Sequence, residues 1–410
     1  HWQAPHFEKM LYDNALLITV LSEAYQITKK ESYKVVIQQT IQFLYRELSN
    51  GSGALYAALD ADSEGVEGKY YTWTYEELKA VIPPNVFEKF AAYYQIQATG
   101  NWEHTNILWT QFDYLISEQP EFKAIKEKLF SIRSQRIRPS LDHKIILSWN
   151  CLMIIGLCKA AAALSDETLI QKAVQSMQWI EENMYNEKEN HFYHVNTTGV
   201  NKTFAFLDDY ASLIQAYINL QEITGDTSYL YKAKQWTEYV QAHFVDEEKT
   251  FFYYTAAYQQ DVMLRKKENY DGAQPSGNAL MCYNLLYLAN QFDITNWSNQ
   301  ASHMIGFMRK MILQYPSSFS VWAQSFTVMA LGFTELVSVG QNGQKSILPV
   351  QAVFLPTKMM LFTGNLDSNL ALLKGKQNID NQYFICTNGT CSAPFSNMNV
   401  FLTTINQLNY

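Results

Sequence analysis

Apolar residues recur three and four positions apart along most of the chain, the spacing that lines one face of an α-helix. In the first such segment the stripe is Leu16, Leu17, Val20, Leu21 and Ala24, and Asp13 lies three, four and seven positions ahead of its first members. Asp13 is therefore predicted to share the apolar face. Three later segments open the same way: Asn150 precedes Met153, Ile154 and Leu157, Asp209 precedes Ser212, Leu213 and Ala216, and Asn278 precedes Met281, Cys282 and Leu285. Each of these helices is predicted to begin with a polar residue aimed inward.

After the first three starts comes a second amphipathic segment, then a turn containing Gly or Asn, then a short extended stretch: GALYAAL with Leu55 and Tyr56, NHFYHV with Phe192 and Tyr193, TFFYYT with Phe252 and Tyr253. Asn14 to Tyr56, Asn150 to Tyr193 and Asp209 to Tyr253 are separated by 42, 43 and 44 positions, which marks one supersecondary unit used repeatedly. The unit reads as an antiparallel helix hairpin followed by an extended aromatic turn. A hairpin with one apolar face needs neighbours to cover it, and a closed ring is the tightest way to supply them. The expected fold is all-α, an (α/α) toroid of hairpins over residues 1–337. Such a ring gathers Asp13, Asn150, Asp209 and Asn278 at one end of its axis, in a single basin. Within it, TYEELKAVI, VFEKFAAYYQI and EFKAIKEKLFSIR, between 75 and 137, read as one degenerate hairpin. From 338 to 410 the short runs KSILPVQAVFLP, KMMLFTG and QYFICTNGTCSAP, broken by Gly, Pro and Asn, predict a small β-containing C-terminal segment packed on the toroid.

Charge narrows the partners. With 31 basic against 39 acidic residues and a net charge of −8, the chain has no basic stripe to neutralise a phosphate backbone, so no nucleic-acid partner is expected. No membrane is expected either: ALLITVL is short, NCLMIIGLCKAAAAL is interrupted by Lys159, and the polar, aromatic first residues after His1 do not read as a signal peptide. Five cysteines do not describe a disulfide framework, which points to a reducing cytoplasm. Cys151 and Cys158, seven apart on one helical face, read as core; Cys386 and Cys391 lie five apart across a turn, which leaves a redox pair open as a minor alternative, although the spacing is not C-x-x-C. No glycine-rich phosphate loop is present, and His6 with Glu8 makes no complete zinc motif, so neither cofactor nor metal is expected.

The polar loops at the helix starts hold the candidate chemistry. ALDADSEGVEGKYYTW, PSLDHKIILSWN, FLDDYA and YDGAQPSGNA crowd acids beside tryptophans and tyrosines. Paired carboxylates with aromatic walls are what proton transfer on sugars requires: one group to protonate an oxygen, one base or nucleophile, and flat faces for the rings. The catalytic candidates are Asp13 and Asp209, with Glu8, Asp62 and His6 beside them. Trp149, Asn150, Tyr210, Asp142, Lys144, Asp271 and Asn278 are the candidate substrate contacts. The structural reading of the same residues is that each caps its own helix, since Asp, Ser and Asn satisfy the unpaired N–H groups of a first turn. For Asp208 and Ser276 that reading is preferred.

PHFEKMLYDNA, ALDADSEGVEGKYYTW, SWNCLMI, FLDDYA and DGAQPSGNAL, in that order, resemble the thioredoxin-domain-containing proteins related to spermatogenesis-associated protein 20, and the late runs FLPTK and YFICTNGTCSAP extend the resemblance to the C-terminal segment. That family's helical part is similar to the six-hairpin toroids of the N-acylglucosamine 2-epimerases and several glycosidases. The resemblance implies a toroid without its first hairpin and an upstream thioredoxin-like domain that this chain does not contain. It implies a fold rather than a reaction. Two functions follow as expectations: a carbohydrate-active enzyme, glycosidase-like or sugar epimerase-like, acting by carboxylate acid/base chemistry on a small sugar ligand, or a non-catalytic module that binds a ligand or a client for the thioredoxin-like domain.

Overall fold

A computed structural model describes residues 5–408 apart from 199, 202, 260, 261, 341–344, 380, 381 and 388. Twelve helices carry the main body: α1 (Leu11–Thr28), α2 (Glu31–Glu47), α3 (Tyr75–Val81), α4 (Pro84–Tyr93), α5 (Pro120–Arg133), α6 (Leu147–Leu164), α7 (Glu167–Asn183), α8 (Leu207–Thr224), α9 (Ser228–His243), α10 (Gly277–Phe292), α11 (Thr295–Gln314) and α12 (Ser320–Leu331). Helices α1, α6, α8, α10 and α12 pack each on the next and form the inner wall, while α2, α7, α9 and α11 return on the outside. This is an (α/α) toroid of helical hairpins.

The two layers are built from different sequence patterns. Outer helices bury one stripe, as with Ile37, Ile41 and Leu44 on α2 or Leu230, Ala233, Trp236 and Val240 on α9. Inner helix α6 is buried nearly all round, and although it is long and apolar enough to cross a membrane, it lies inside the ring. Gly156 lets it approach α1, because a Cβ there would sit 3.0 Å from the Ala15 carbonyl oxygen. Helix α1 differs from expectation. Its buried positions are Leu11, Ala15, Ile18 and Ser22, whereas Leu17 and Val20 of the predicted stripe are 43 % and 57 % exposed. A helix apolar on most sides does not fix its own rotational phase, so periodicity identified the helix but not which face turns inward.

Residues 73–133 do not form a hairpin of the ring. Helices α3, α4 and α5 surround a separate small core of Trp73, Leu78, Phe90, Phe122 and Leu129. At the other end of the chain, a four-stranded sheet has Lys358–Thr363 parallel to Thr334–Val339, which pairs antiparallel with Tyr383–Thr387 and then Thr390–Cys391. Its first strand starts at Thr334, ahead of the position where the sequence pattern changes. The sheet closes the C-terminal end of the inner helices: Glu222 of α8 accepts from the Met360 N–H at 3.0 Å, and Asn290 of α10 donates to Glu335 at 2.7 Å. Cys386 and Cys391 form a disulfide across the last two strands, where the cysteine count had suggested a reduced chain, and Cys151, Cys158 and Cys282 are buried thiols.

Candidate functional site at the mouth of the ring

An α-helix leaves its first N–H groups without partners, and here the starts of the inner helices face one end of the ring. Acids from one helix start satisfy the next. Asp209, in the first turn of α8, accepts at Oδ1 from Ser148 N of α6 at 3.0 Å, and at Oδ2 from Phe206 N at 2.9 Å. Asp208 turns the other way and accepts from Gly277 N of α10 at 2.8 Å. That approach needs glycine, since a Cβ at 277 would stand 2.5 Å from Asp208 Oδ1. Asp271 accepts from Ser276 N and Oγ at 3.1 Å and from Val321 N of α12 at 2.9 Å. The edge of Tyr12 on Trp149, ring centroids 4.9 Å apart, joins α1 to α6. The five helix starts thus share one mouth.

Below this layer the repeat shows its purpose. Asn150 accepts from Leu55 N at 2.9 Å and donates to Leu55 O and Ile146 O at 3.0 Å. Asn278 repeats the grip on Phe252 N and O, both at 2.9 Å, and adds Glu268 O at 3.0 Å. Tyr210, fully buried, accepts from Phe192 N at 3.1 Å through its hydroxyl. In each case an inner helix clamps the extended turn that follows the preceding outer helix. Asn150, Asn278 and Tyr210 are accordingly committed to the backbone, and the expectation that they contact substrate is corrected. Asp271 is likewise taken up by its three donors. Asp13, Glu8, His6 and Asp62 are exposed, so Asp13 is not on a buried face. Asp142 and Lys144 pair with each other at 3.1 Å near the surface, and Trp149 is half-buried against Met10, Ala57, Ile146 and Val195.

The group that the sequence reading missed is His194. Its Nδ1 lies 2.8 Å from Asp209 Oδ2, with the carboxylate buried and the imidazole partly exposed. With Phe206 N and Ser148 N also on that carboxylate, and its side chain buried, Asp209 is turned away from solvent and orients the imidazole instead. Burial works against a charge on His194, but the hydrogen bond to Asp209 and the charges of Asp209 and Asp208 outweigh it and hold its pKa up. Burial, then the neighbouring Asp209, push Asp208 up to about 7 in spite of its bond to Gly277 N. A histidine whose pKa is held up and an acid raised to about 7 therefore neighbour one buried carboxylate. His194, Phe206 and Tyr254 form a column of rings with successive centroids 5.0 and 4.9 Å apart. NHFYHV showed its aromatic residues but gave no sign that its second histidine faces an acid fifteen positions later. Among the described residues no cluster of three His, Cys, Asp or Glu side chains is arranged to hold a metal.

Beneath the mouth lies a cavity of about 320 Å³, bounded near its top by Leu16, Leu152, Pro275 and Val321 and at its floor by Phe354, Leu355 and Lys358. Pro275 stands two positions before the Gly277 held by Asp208, so the rim adjoins the acid layer.

No family model matches the chain. Relatives do. The chain is similar to spermatogenesis-associated protein 20. It is 25 % identical to the protein of Homo sapiens over 450 residues and 26 % identical to that of Mus musculus over the same length, covering 96 % of this chain. It spans 57 % of the length of these relatives. Among solved structures it is similar to cellobiose 2-epimerase from Bacillus thermoamylovorans (11 % identity, TM-score 0.46, 76 % of this chain and 62 % of that one) and to a sugar epimerase from a ruminal bacterium (10 %, 0.45, 72 % and 58 %).

Proposed function

We propose that the mouth of the ring is a proton-transfer site for a small carbohydrate, with His194 and Asp208 as the groups that move protons and Asp209 as the residue that positions His194. The observation that carries this reading is the His194–Asp209 contact of 2.8 Å, in which the buried carboxylate fixes the ring and the described residues offer no partner to Nε2. An imidazole fixed by a buried carboxylate, beside a carboxyl raised to about 7, suits removal of a C–H proton beside a carbonyl and its return, the step of a sugar epimerase or isomerase. Glycoside hydrolysis suits the site less. It needs two carboxyl groups free to face the scissile bond, and both oxygens of Asp209 are already engaged. Trp149 and the Phe206–Tyr254 column supply aromatic faces of the kind that stack on sugars.

Incubating the full-length protein with aldoses in heavy water tests this directly, by following deuterium at the carbon next to the carbonyl. Turnover should fall by about a hundredfold or more in His194→Gln. Exchange that survives this variant, or no reaction on any aldose or glycoside, would overturn the reading. The commitment of Asp208, Asp209 and Asp271 to backbone N–H groups favours a second reading, in which the ring binds a sugar or a client of a thioredoxin-like domain without turnover. Ligand binding without exchange would select it.

A further inference from the structure

The cavity inside the ring holds a second set of charges, apart from the mouth. Glu23 of α1, Lys159 of α6, Glu222 of α8, Tyr283 and Tyr287 of α10, and Lys358 of the C-terminal sheet all line it. Its two lysines are in different states. Lys159 Nζ lies 3.3 Å from Glu23 Oε1, and although burial opposes its charge, Glu23 and then Glu222 outweigh that and hold its pKa up. Lys358 forms no ion pair with any described carboxylate. Its Nζ donates instead to the Val353 carbonyl at 2.7 Å and the Gln351 carbonyl at 3.1 Å. Burial, reinforced by the charge of Lys159, pushes its pKa down to about 7 against the opposing pull of Glu222 and Glu23.

The arrangement has a chemical consequence. A neutral amine has two hydrogens and one lone pair. Two carbonyl acceptors take the two hydrogens, which turns the lone pair to the side that they leave open. A buried lysine of this kind is a nucleophile toward carbonyl carbon, as a charged, paired one is not. We infer that Lys358 is an imine-forming residue that captures a small aldehyde or ketone, such as an open-chain sugar, inside the ring cavity. The amine nitrogen bonds to the carbonyl carbon while the π pair moves to oxygen. The carbonyl oxygen then leaves as water with the two amine hydrogens, and a C=N bond remains. No oxidant or reductant is consumed. Glu222, whose Oε1 accepts from Tyr287 Oη at 2.8 Å and Met360 N at 3.0 Å, and Tyr283 face the same cavity and can carry the protons. The volume, about 320 Å³, lies within the range of small-molecule sites.

The test is reductive trapping. The protein is incubated with glycolaldehyde and sodium cyanoborohydride between pH 6 and pH 9, and the adducts are mapped by peptide mass spectrometry. At pH 7 Lys358 should be modified about tenfold or more ahead of Lys159 and of exposed lysines, which should gain on it as the pH rises. Lys358→Arg, which keeps donors for both carbonyls, should lose the early adduct while retaining its circular dichroism and melting temperature within a few degrees. Modification of surface lysines with Lys358 untouched, or an adduct at Lys358 no faster than theirs, overturns the inference. His194→Gln should leave the trapping unchanged, so failure here and failure of proton transfer at the mouth are separate results.

Discussion

The acids at the mouth of the ring and the lysine at the floor of its cavity meet opposite ends of helices. At the mouth, Asp208, Asp209 and Asp271 accept hydrogen bonds from main-chain N–H groups of helix starts. At the floor, Lys358 donates to the carbonyls of Gln351, the last residue of the short helix Ile347–Gln351, and of Val353 just beyond it. Helix direction accounts for the contrast, because N–H groups and partial positive charge collect at one end and carbonyls and partial negative charge at the other. A ring whose inner helices all start at the same end therefore recruits acids to its mouth for architectural reasons. Chemistry at that end is left to groups these contacts do not fully occupy, His194 and the second oxygen of Asp208, which is why His194 rather than Asp209 is the residue free to act.

The severest test of this division lies in the clamps of the mouth. Asn150→Ala removes partners from Leu55 N, Leu55 O and Ile146 O at once, all buried, and should cost about 3–5 kcal/mol in urea denaturation. Tyr210→Phe, which strips one partner from Phe192 N, should cost only about 1–2 kcal/mol. Equal losses in the two variants would mean that something other than the turn clamps sets stability there. On the floor side, Glu222→Ala leaves Tyr287 Oη and Met360 N without their acceptor and should cost about 2–4 kcal/mol.

The pH dependence should come from the mouth. The carboxyl of Asp208 is raised, so its contribution to stability is greatest below the ordinary carboxylate pKa of 3.8 and is lost as the pH climbs through about 7. His194 is raised as well, so its contribution is full below 6.5 and declines as the pH passes above that value. Both act in the same direction, and the melting temperature should fall between pH 5 and pH 8. Asp208→Asn keeps an oxygen for Gly277 N but removes the charge. It should be more stable than the parent by about 1–2 kcal/mol at pH 8, with the difference gone by pH 4. A constant difference across that range would show that the carboxyl is not held up by its surroundings.

Much of the ring was legible from periodicity, because a repeated polar start and a repeated extended turn mark a repeated unit. The spacing of 42 to 44 residues is real, but its partner is displaced by one unit: Asn150 holds Leu55 and Asn278 holds Phe252, each from the turn before it. Sequence order shows where a hairpin ends and not which helix reaches back to it. The satellite core of residues 73–133 was misread as a hairpin for a related reason, since amphipathic helices of similar pattern serve either purpose. The functional groups were harder to find. His194 and Asp209 meet only because the extended turn of one unit folds over the helix start of the next. Lys358 reaches the cavity from a sheet that follows the whole ring in sequence.

The smallest expected effect bears on the residue that the sequence made most prominent. Asp13 does share a helical face with Leu17 and Val20, as its spacing predicted, but that face is exposed, and the buried stripe of α1 runs through Leu11, Ala15, Ile18 and Ser22 instead. Its carboxyl receives no hydrogen bond from a neighbouring helix start among the described residues, unlike Asp208 or Asp209. Partial desolvation raises its pKa, with His6 pulling the other way, so it titrates near solvent without a buried partner. Asp13→Asn should therefore change stability by no more than about 0.5 kcal/mol, the range of surface substitutions. In the aldose assay it should cost far less than His194→Gln. A loss of more than about 1 kcal/mol would mean that α1 is held at the mouth by an acid like its neighbours. A loss of turnover matching that of His194→Gln would return Asp13 to the chemistry of the site, and the distinction between acids that staple the ring and groups that act on a substrate would have to be drawn elsewhere.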